Sequence, residues 1–396
     1  MKITFVSNYI NHHQIPLAQE LYERLGDAYH FIETEQMEEE RVAMGWNPDT
    51  GELPYLLRYY ENPKACQALI EESDVVVFGG TDDESYIQPR LQAGKPVIRC
   101  SERLYKEGQW KAVSPRGLRK KYLDHTRYRK APVYLLCAGA YVPCDFSIVR
   151  AYPGKMFCWG YFPPFVQKTP DTLFAQKEKN VVPKLLWSGR FLHWKHPLDA
   201  VWLAARLKQE GIPFELTMVG GGEEEELLRE AIQKEGLTEQ IKLTGFLEPD
   251  RVRQEMEAAD VFLFTSDYRE GWGAVLNEAM NSGCAVLANV AAGASPYLVS
   301  HGRNGLLYQN GHREQLLSHA RYLLSNPDVS RRFGREAYET IAQTWNSRNA
   351  AEQLLILCRK LLGESGITLP EEGPGSPARV ISQGSMYKTC VGRKGR

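Results

Sequence analysis

The chain has 396 residues, of which 43% are hydrophobic and 24% are charged. These values are ordinary for globular proteins and exclude a wholly disordered or fibrous chain, while the length favours two domains, with three as the alternative. Lysine and arginine number 48 against 49 aspartates and glutamates, so the basic excess typical of nucleic-acid-binding proteins is absent. The eight cysteines include no C-x-x-C pair, which argues against a zinc ribbon and favours a reducing compartment.

Neither a signal peptide nor a membrane-spanning helix is predicted. The apolar run at the start of the chain is too short for a signal-peptide core. The long uncharged stretch over 279–300 is interrupted by glycine, asparagine and proline, which is typical of strand and loop. We therefore expect a cytoplasmic protein, with peripheral contact at the inner face of the membrane left open.

Short apolar runs alternate with amphipathic stretches in the first half of the chain. The patterns predict a helix over 16–25 and strands over 2–7, 74–78, 96–100 and 133–137. Continuous Val, Ile and Leu runs between helices are typical of a parallel sheet covered on both faces. Residues 1–164 are therefore predicted to form an acceptor-side α/β domain, followed by a proline-marked junction and a linker over 165–182.

The same alternation resumes in the second half and predicts a doubly wound domain over 183–345. The predicted strands are 184–188, 214–219, 241–244, 261–265 and 285–289, and the predicted helices are 197–209, 223–235, 274–282, 312–324, 328–343 and 347–362. The tail over 364–396 is rich in Pro, Gly and Ser and is expected to be disordered. The predicted fold class is α/β, with two facing Rossmann-like domains, each a mostly parallel sheet with helices on both faces. Ligands are expected beyond the carboxyl ends of the strands, in a cleft between the domains.

Two carboxylates stand close together after the strand over 261–265. Glu270 lies in the loop and Glu278 lies eight positions later on the following helix. Carboxylates in such a position can accept hydrogen bonds from sugar hydroxyls. Two surface acids unrelated to any ligand would give the same spacing.

The residues between these carboxylates suit a phosphate. Gly271 and Gly273 permit close approach of the backbone to a ligand. Free N–H groups at the start of the helix, near Ala274 and Val275, combine with its positive dipole end to attract an anion.

Three further strand ends carry candidate binding residues. Arg190 and Lys195 follow the strand over 184–188 and would form a diphosphate clamp. Gly220 and Gly221 end the next strand, and Phe246 follows the one after. These glycines do not form the G-x-G-x-x-G dinucleotide motif. Taken singly, each segment is equally compatible with an ordinary turn or a pair of solvated cations.

In their order and spacing these segments resemble the nucleotide-sugar-binding domain of family-4 retaining glycosyltransferases of the GT-B fold, over about 183–310. The run Asn304–Leu307 resembles the family's NGLL turn. Trp345 precedes a helix over 346–363 that in the family crosses back to the first domain. The tripeptide after Glu270 reads Gly-Trp-Gly, where phenylalanine is commoner in the family.

The resemblance implies a hexosyltransferase that moves a sugar from a nucleotide sugar, UDP- or GDP-linked, to an acceptor hydroxyl. It implies that Glu270 contacts the donor sugar, that Glu278 contacts the ribose, and that Arg190 and Lys195 neutralise the diphosphate. It also implies retention of anomeric configuration, no cofactor and no metal ion. The expected acceptor is a glycan or lipid-linked molecule in cell-envelope or surface polysaccharide synthesis.

The first half resembles the acceptor domain less specifically. His12 and His13 follow the first strand, where they could bind ligand hydroxyls or phosphate, or cap the helix that begins near residue 16. The histidine that many relatives carry after a mid-domain strand is missing, and the matching stretch contains Glu102. Glu102 or His13 is a candidate substitute.

Two charged stretches have alternative interpretations. The run Thr81–Glu84 is better explained by a helix-capping box than by a metal site. The stretch 116–130 contains seven basic residues and one acid; it is a solvated basic helix or a surface that contacts anionic lipid headgroups or a phosphorylated acceptor.

Two rival functions are retained for the whole chain. One is a non-catalytic nucleotide-sugar-binding subunit of a glycosyltransferase complex, favoured by the missing histidine. The other is a nucleotide-sugar epimerase on the same fold. The combination of Glu270, Glu278, Arg190 and Lys195 argues against both.

Overall fold

A computed structural model of the chain describes residues 1–37, 51 and 53–392. The chain divides into two compact units. The first comprises Met1–Pro164 and Trp345–Ile381, and the second comprises Phe165–Thr344 and a C-terminal segment from Ser382. Each unit contains a parallel sheet with helices, so the predicted α/β class with two Rossmann-like units is confirmed.

The first unit is built on a sheet of seven strands within the described residues. In chain order these are β1 (Ile3–Ser7), β2 (Tyr29–Glu33), β3 (Leu56–Arg58), β4 (Val75–Gly79), β5 (Val97–Ser101), β6 (Val133–Ala138) and β7 (Met156–Trp159). The strands lie in the order β3-β2-β1-β4-β5-β6-β7, and all neighbours are parallel. The order reverses beside β1, which is the switch point where open α/β sheets bind ligands.

The helices of this unit cover the apolar strands. They are α1 (Ile15–Leu25), α2 (Pro63–Glu72), α3 (Gln88–Gln92), α4 (Pro115–Asp124) and α5 (Val142–Ile148). Leu17, Ala18 and Leu21 of α1 are buried, as the predicted apolar face requires. By contrast, α4 has no buried residue.

The second unit has a six-stranded parallel sheet in its described part. Its strands are β8 (Lys184–Ser188), β9 (Glu215–Val219), β10 (Ile241–Leu243), β11 (Val261–Phe264), β12 (Ala285–Asn289) and β13 (Gly305–Tyr308). They lie in the order β10-β9-β8-β11-β12-β13. Here the order reverses between β8 and β11, so loops distant in sequence emerge side by side at the carboxyl edge.

Helices cover both faces of this second sheet. They are α6 (Pro170–Lys177), α7 (Pro197–Gln209), α8 (Glu225–Lys234), α9 (Pro249–Ala258), α10 (Val275–Asn281), α11 (Ser295–Leu298), α12 (Arg313–Ser325) and α13 (Pro327–Gln343). Val261 and Leu263 of β11 share a buried cluster with side chains from α7, α8 and α12. Phe262 and Phe264 are also buried but lie outside that cluster, as expected for alternate residues that point to the opposite face.

The structure differs from the expected linker over 165–182. Within it α6 buries Leu173 and Phe174 against Tyr338. The Lys177 ammonium donates to the backbone carbonyl of Met256, at 3.2 Å. Leu173 and Phe174 are adjacent in sequence and so give no obvious helical pattern. Their burial nevertheless anchors the segment to the second unit.

The structure also differs from the expected disordered tail. Before the tail, α14 (Ser347–Leu361) packs on α1 within the first unit. Residues 373–378 then run along β7, where the N–H of Cys158 donates to the Ser376 carbonyl at 2.8 Å and the N–H of Ala378 donates to the Met156 carbonyl at 2.9 Å. A further helix, α15 (Gln383–Val391), follows, and residues 393–396 of the predicted tail lie outside the described residues. The backbone pairing to an edge strand orders a segment whose side chains alone predict no structure.

Candidate functional site

The loops after β8 and β11 meet at the switch point of the second unit. The N–H of Asp267 donates to the Trp194 carbonyl at 2.8 Å. The Thr265 hydroxyl bonds the Lys195 carbonyl, and one Asp267 oxygen lies 3.2 Å from Nε2 of His196. Together these bonds fix the loop that carries the cations against the loop that carries Glu270.

Lys195 and Glu270 form an ion pair across these two loops. Both side chains are largely buried, and Glu270 also accepts a 3.2 Å hydrogen bond from the Ser266 hydroxyl. Arg190, in the same loop as Lys195, is exposed, and its guanidinium forms no ion pair with the residues that the structure describes. The site thus holds one neutralised and one unpaired cation.

Glu278 lies on α10, one turn from the start of that helix. Its carboxylate is partly buried and accepts no hydrogen bond from the described residues. Burial raises the pKa of Glu278 to about 7, against the smaller opposing effect of Arg253. A partly buried carboxylate without donors is an unfavourable arrangement, and the hydroxyl groups of a ligand would relieve it.

The segment between the two glutamates is fixed by a buried tryptophan and by a glycine in a confined position. The Trp272 side chain is buried and donates from Nε1 to the Asn277 amide oxygen at 2.9 Å. Gly273 has a φ of +95°, and a Cβ there would lie 2.4 Å from the Phe264 ring, so only glycine fits. Gly271 precedes this tryptophan, and no side chain caps the helix that begins after Ala274, at Val275.

The glycines after β9 sit where neighbouring backbones approach closely. A Cβ on Gly220 would lie 1.9 Å from the Gly189 carbonyl oxygen, and one on Gly221 would lie 2.9 Å from the Phe246 ring. The Phe246 side chain is 71% exposed. An exposed aromatic ring over a glycine backbone offers a flat apolar surface for stacking.

The acceptor-side candidates form a separate group in the first unit. The rings of His12 and His13 lie 3.8 Å apart, and His13 stacks at 6.4 Å on Tyr161. The Tyr161 hydroxyl donates to Glu102 at 2.6 Å, and Glu102 also pairs with Lys106. Burial lowers the pKa of both histidines, that of His13 to about 3, so both are neutral at physiological pH. Gln14 occupies the N-cap position of α1 and forms no capping hydrogen bond with its side chain, so neither histidine is the N-cap residue of that helix.

The interpretation of Thr81–Glu84 as a Thr-x-x-Glu capping box is wrong in detail. Asp83 makes the cap, because its carboxylate accepts from the Ser85 N–H at 2.9 Å. The Glu84 carboxylate instead pairs with the buried Arg99, and an ion pair to a buried arginine competes with a local cap.

Several residues that contact the candidates within each unit were not predicted from the sequence. Ser266 and Asp267 directly follow β11, so their place at a strand's carboxyl end was a usable signal. His196 and Tyr161 gave no such signal, because their partners lie 71 and 59 residues away. Only the folded arrangement of the strands brings each of these two residues next to its partner.

Two absences apply to the described part of the chain. Residues 1–37, 51 and 53–392 contain no group of three or more His, Cys, Asp or Glu side chains arranged to hold a metal ion. Over the same ranges, no helix has the length and apolar character needed to cross a bilayer.

Comparison with known sequences connects this geometry to a family. Residues 170–340 match the family model described as Glycosyl transferases group 1. A 2-deoxystreptamine glucosyltransferase of Streptomyces kanamyceticus is 29% identical over 185 residues, which is 46% of each chain. A putative colanic acid biosynthesis glycosyltransferase, WcaL of Salmonella typhimurium, is 29% identical over 168 residues, 41% of each chain. The match thus spans just under half the length of these curated relatives.

Comparison with solved structures extends over both units. The crystal structure of Anabaena HepE in complex with UDP superposes with a TM-score of 0.67 at 18% identity, covering 90% of this chain and 98% of that one. A sucrose-phosphate synthase from Thermosynechococcus elongatus gives 0.65 at 18% identity, covering 92% and 100%. The chain therefore has the GT-B fold, and its residues 170–340 match the glycosyl transferases group 1 model.

Proposed function

We propose that the protein is a hexosyltransferase that moves a sugar from a nucleotide-sugar donor to an acceptor hydroxyl. The observation that carries the proposal is the arrangement at the switch point of the second unit, where the Lys195–Glu270 ion pair lies in the same two loops as the unpaired Arg190. The domain match at 170–340 supports it. Support also comes from HepE, whose structure was determined with UDP.

The donor diphosphate would take the positive charge of this site. Arg190 offers a fork of donors to phosphate oxygens, and Lys195 would exchange its pairing with Glu270 for a pairing with the diphosphate. Charge that develops on the departing diphosphate would then be stabilised by groups already in place. We propose that these two cations neutralise the diphosphate as a metal ion does at other diphosphate sites, so that no metal ion is needed.

The sugar and nucleoside would occupy the remaining groups. Glu270, released from Lys195, would accept hydrogen bonds from the donor sugar, while Glu278 would accept them from the ribose. The exposed Phe246 ring beside Gly221 would stack on the base. A UDP- or GDP-sugar fits these contacts, and the transfer is proposed to retain anomeric configuration.

The acceptor would be bound by groups of the first unit. The hydrogen-bonded Glu102 and Tyr161, with the neutral His12 and His13 beside them, present both donors and acceptors to hydroxyl groups. Such a group fits a carbohydrate acceptor. We propose a glycan or lipid-linked acceptor in the synthesis of surface polysaccharides or glycoconjugates.

Two measurements with UDP- and GDP-sugars test the proposal. Calorimetry measures binding, and release of nucleoside diphosphate, with and without EDTA, measures turnover. We expect one donor to bind, release to be insensitive to EDTA, and Arg190→Ala to weaken binding at least tenfold, since hydrogen bonds between charged groups contribute about 1.5–3 kcal/mol. Arg332→Ala, which removes an exposed arginine on α13, is the matched control and should bind as the wild type does.

Three outcomes would contradict the proposal. Binding without release in the presence of candidate acceptors would favour the non-catalytic subunit. Absence of binding by every nucleotide sugar would show that the switch point is not the donor site. An epimerase would instead convert the donor sugar without releasing nucleoside diphosphate.

A further inference from the structure

Helix α4 in the first unit is exposed, and little of the unit packs against it. None of its ten residues is buried, and its main contacts are with the short 3₁₀ turns on either side. A helix of this length gains most of its stability from packing an apolar face. The described residues therefore provide no surface that covers α4.

The exposure of its residues shows which way α4 is turned. Gly117, Lys121 and Asp124 lie on one side of the helix and are partly buried. The rest of the circumference, spanning about 200° at 100° per residue, points outward. We call these outward residues the α4 patch; its members are Arg116, Leu118, Arg119, Lys120, Tyr122 and Leu123, all exposed.

The α4 patch combines apolar and cationic groups and contains no acid. Leu118 is 41% exposed and Tyr122 is 57% exposed. Asp124, the only acid of the helix, is on the partly buried side. Just before the helix, Val113 is 78% exposed, which extends the apolar surface.

The cations of the α4 patch are not neutralised by the protein. Arg116, Arg119 and Lys120 form no ion pair with any described residue. Three more cations follow at Arg127, Arg129 and Lys130, likewise exposed and without an ion pair in the described part. A surface with this charge attracts a dense array of anions.

We propose that the α4 patch docks the protein on an anionic lipid bilayer. This inference goes beyond the proposed transfer activity and does not depend on it. Leu118, Tyr122 and Leu123 would enter the boundary between headgroups and acyl chains, while the flexible arginine and lysine side chains reach back to lipid phosphates. A soluble phosphate would satisfy the cations alone, whereas a bilayer also covers the apolar side chains.

Vesicle co-sedimentation of the full chain tests this docking. Vesicles of phosphatidylcholine alone are compared with vesicles that also contain phosphatidylserine. We expect binding only to the anionic vesicles, weakened by salt. Since a basic residue near the surface contributes about fivefold in affinity, the double variant Arg119→Glu and Lys120→Glu should lose at least tenfold.

Two further variants separate docking from general charge attraction. Leu118→Ser with Tyr122→Ser keeps the charge and should lose at least fivefold in binding, because about 0.8 kcal/mol accompanies each buried methylene. The control Lys64→Glu with Lys95→Glu reverses the same charge at two other exposed lysines of the first unit and should bind as the wild type does. Circular dichroism establishes that every variant is folded.

Three results would overturn the proposal. The first would be a wild type that fails to bind anionic vesicles. The second would be two α4 variants that bind these vesicles as well as the control does. Alternatively, the wild type is a dimer that the same substitutions dissociate, with no vesicle binding, in which case a second copy of the chain covers the α4 patch.

Discussion

Replacing Glu278 by glutamine is expected to stabilise the ligand-free protein above neutral pH. The carboxylate is partly buried, accepts no hydrogen bond from the described residues, and has a pKa raised by burial to about 7. Above that pH the native protein holds an ionised group without a donor. Glutamine has nearly the same shape and no charge, so the substitution removes this unfavourable ionisation.

The sign and size of the effect follow from linkage between protonation and folding. In the unfolded chain Glu278 has its ordinary pKa of about 4.5. Its contribution to stability is therefore fully present below pH 4.5 and is lost as the pH rises to about 7. At about 1.4 kcal/mol for each pH unit, the ceiling is ~3 kcal/mol. Because the side chain retains some contact with solvent, we expect a loss of ~1–2 kcal/mol.

Thermal unfolding of the wild type and Glu278→Gln at pH 5 and pH 8.5 measures this difference. A domain of this size gains about 2–4 °C in Tm for each kcal/mol, so the variant should unfold about 4 °C higher at pH 8.5 and only about 1 °C higher at pH 5, where the carboxyl has begun to ionise in the unfolded chain alone. Adding the nucleotide sugar should raise the Tm of the wild type more than that of the variant, which lacks the proposed ribose contact. A variant that is less stable at pH 8.5, or shifted equally at both pH values, would refute the reasoning.

Three other changes test neighbouring parts of the site. Phe246→Ala should weaken binding of a nucleoside diphosphate by about tenfold in calorimetry, since stacking on a base contributes ~1–3 kcal/mol; unchanged affinity would exclude this ring from the base site. Gly273→Ala should lower the Tm by several degrees, because the new Cβ would lie 2.4 Å from Phe264 at a φ of +95°, and a wild-type Tm would contradict that close approach. The hydrogen bond to Asp267 raises the pKa of His196, so its stabilisation is full below about pH 6.5 and is lost as the pH rises through the native pKa. Asp267→Asn should therefore lower the Tm more at pH 6 than at pH 8.5, and a uniform loss would indicate a role independent of charge.

Most strands in the interior of the two sheets were predictable from the sequence. The run that forms β12 is buried at every residue, and it reads as a continuous apolar segment. Helix α7 begins at Pro197, where proline marks the first turn. Edge strands carry weaker signals, so β3, β7 and β13, with three or four residues each, were missed. Their pairing partners, rather than their own side chains, define them. The interior strand β2 was also missed, because its run includes His30 and Glu33 among the apolar residues.

The members of the candidate site were easier to predict than their pairings. Arg190, Lys195, Glu270 and Glu278 were all selected by their positions after strands. That Lys195 pairs with Glu270, 75 residues away, while Arg190 is left exposed, depends on the order of β8 and β11 and on loop bonds that no local pattern reveals. The raised pKa of Glu278 likewise arises from the surrounding three-dimensional packing.

Several positions at which this sequence departs from favourable folding lie at the carboxyl edge of the second sheet. Glu278 is partly buried without a donor, Phe246 exposes an aromatic ring, and Gly273 and His196 have positive φ values. Each of these features opposes the stability of the ligand-free protein, since a typical folded chain pairs buried charge, buries large rings and avoids strained backbone. Each would be offset by one part of a nucleotide sugar: hydroxyls for the carboxylate, a base for the ring, and phosphates near the constrained loops. Their coincidence at the switch point of the second unit therefore supports the proposed nucleotide-sugar site on grounds that do not depend on a sequence motif.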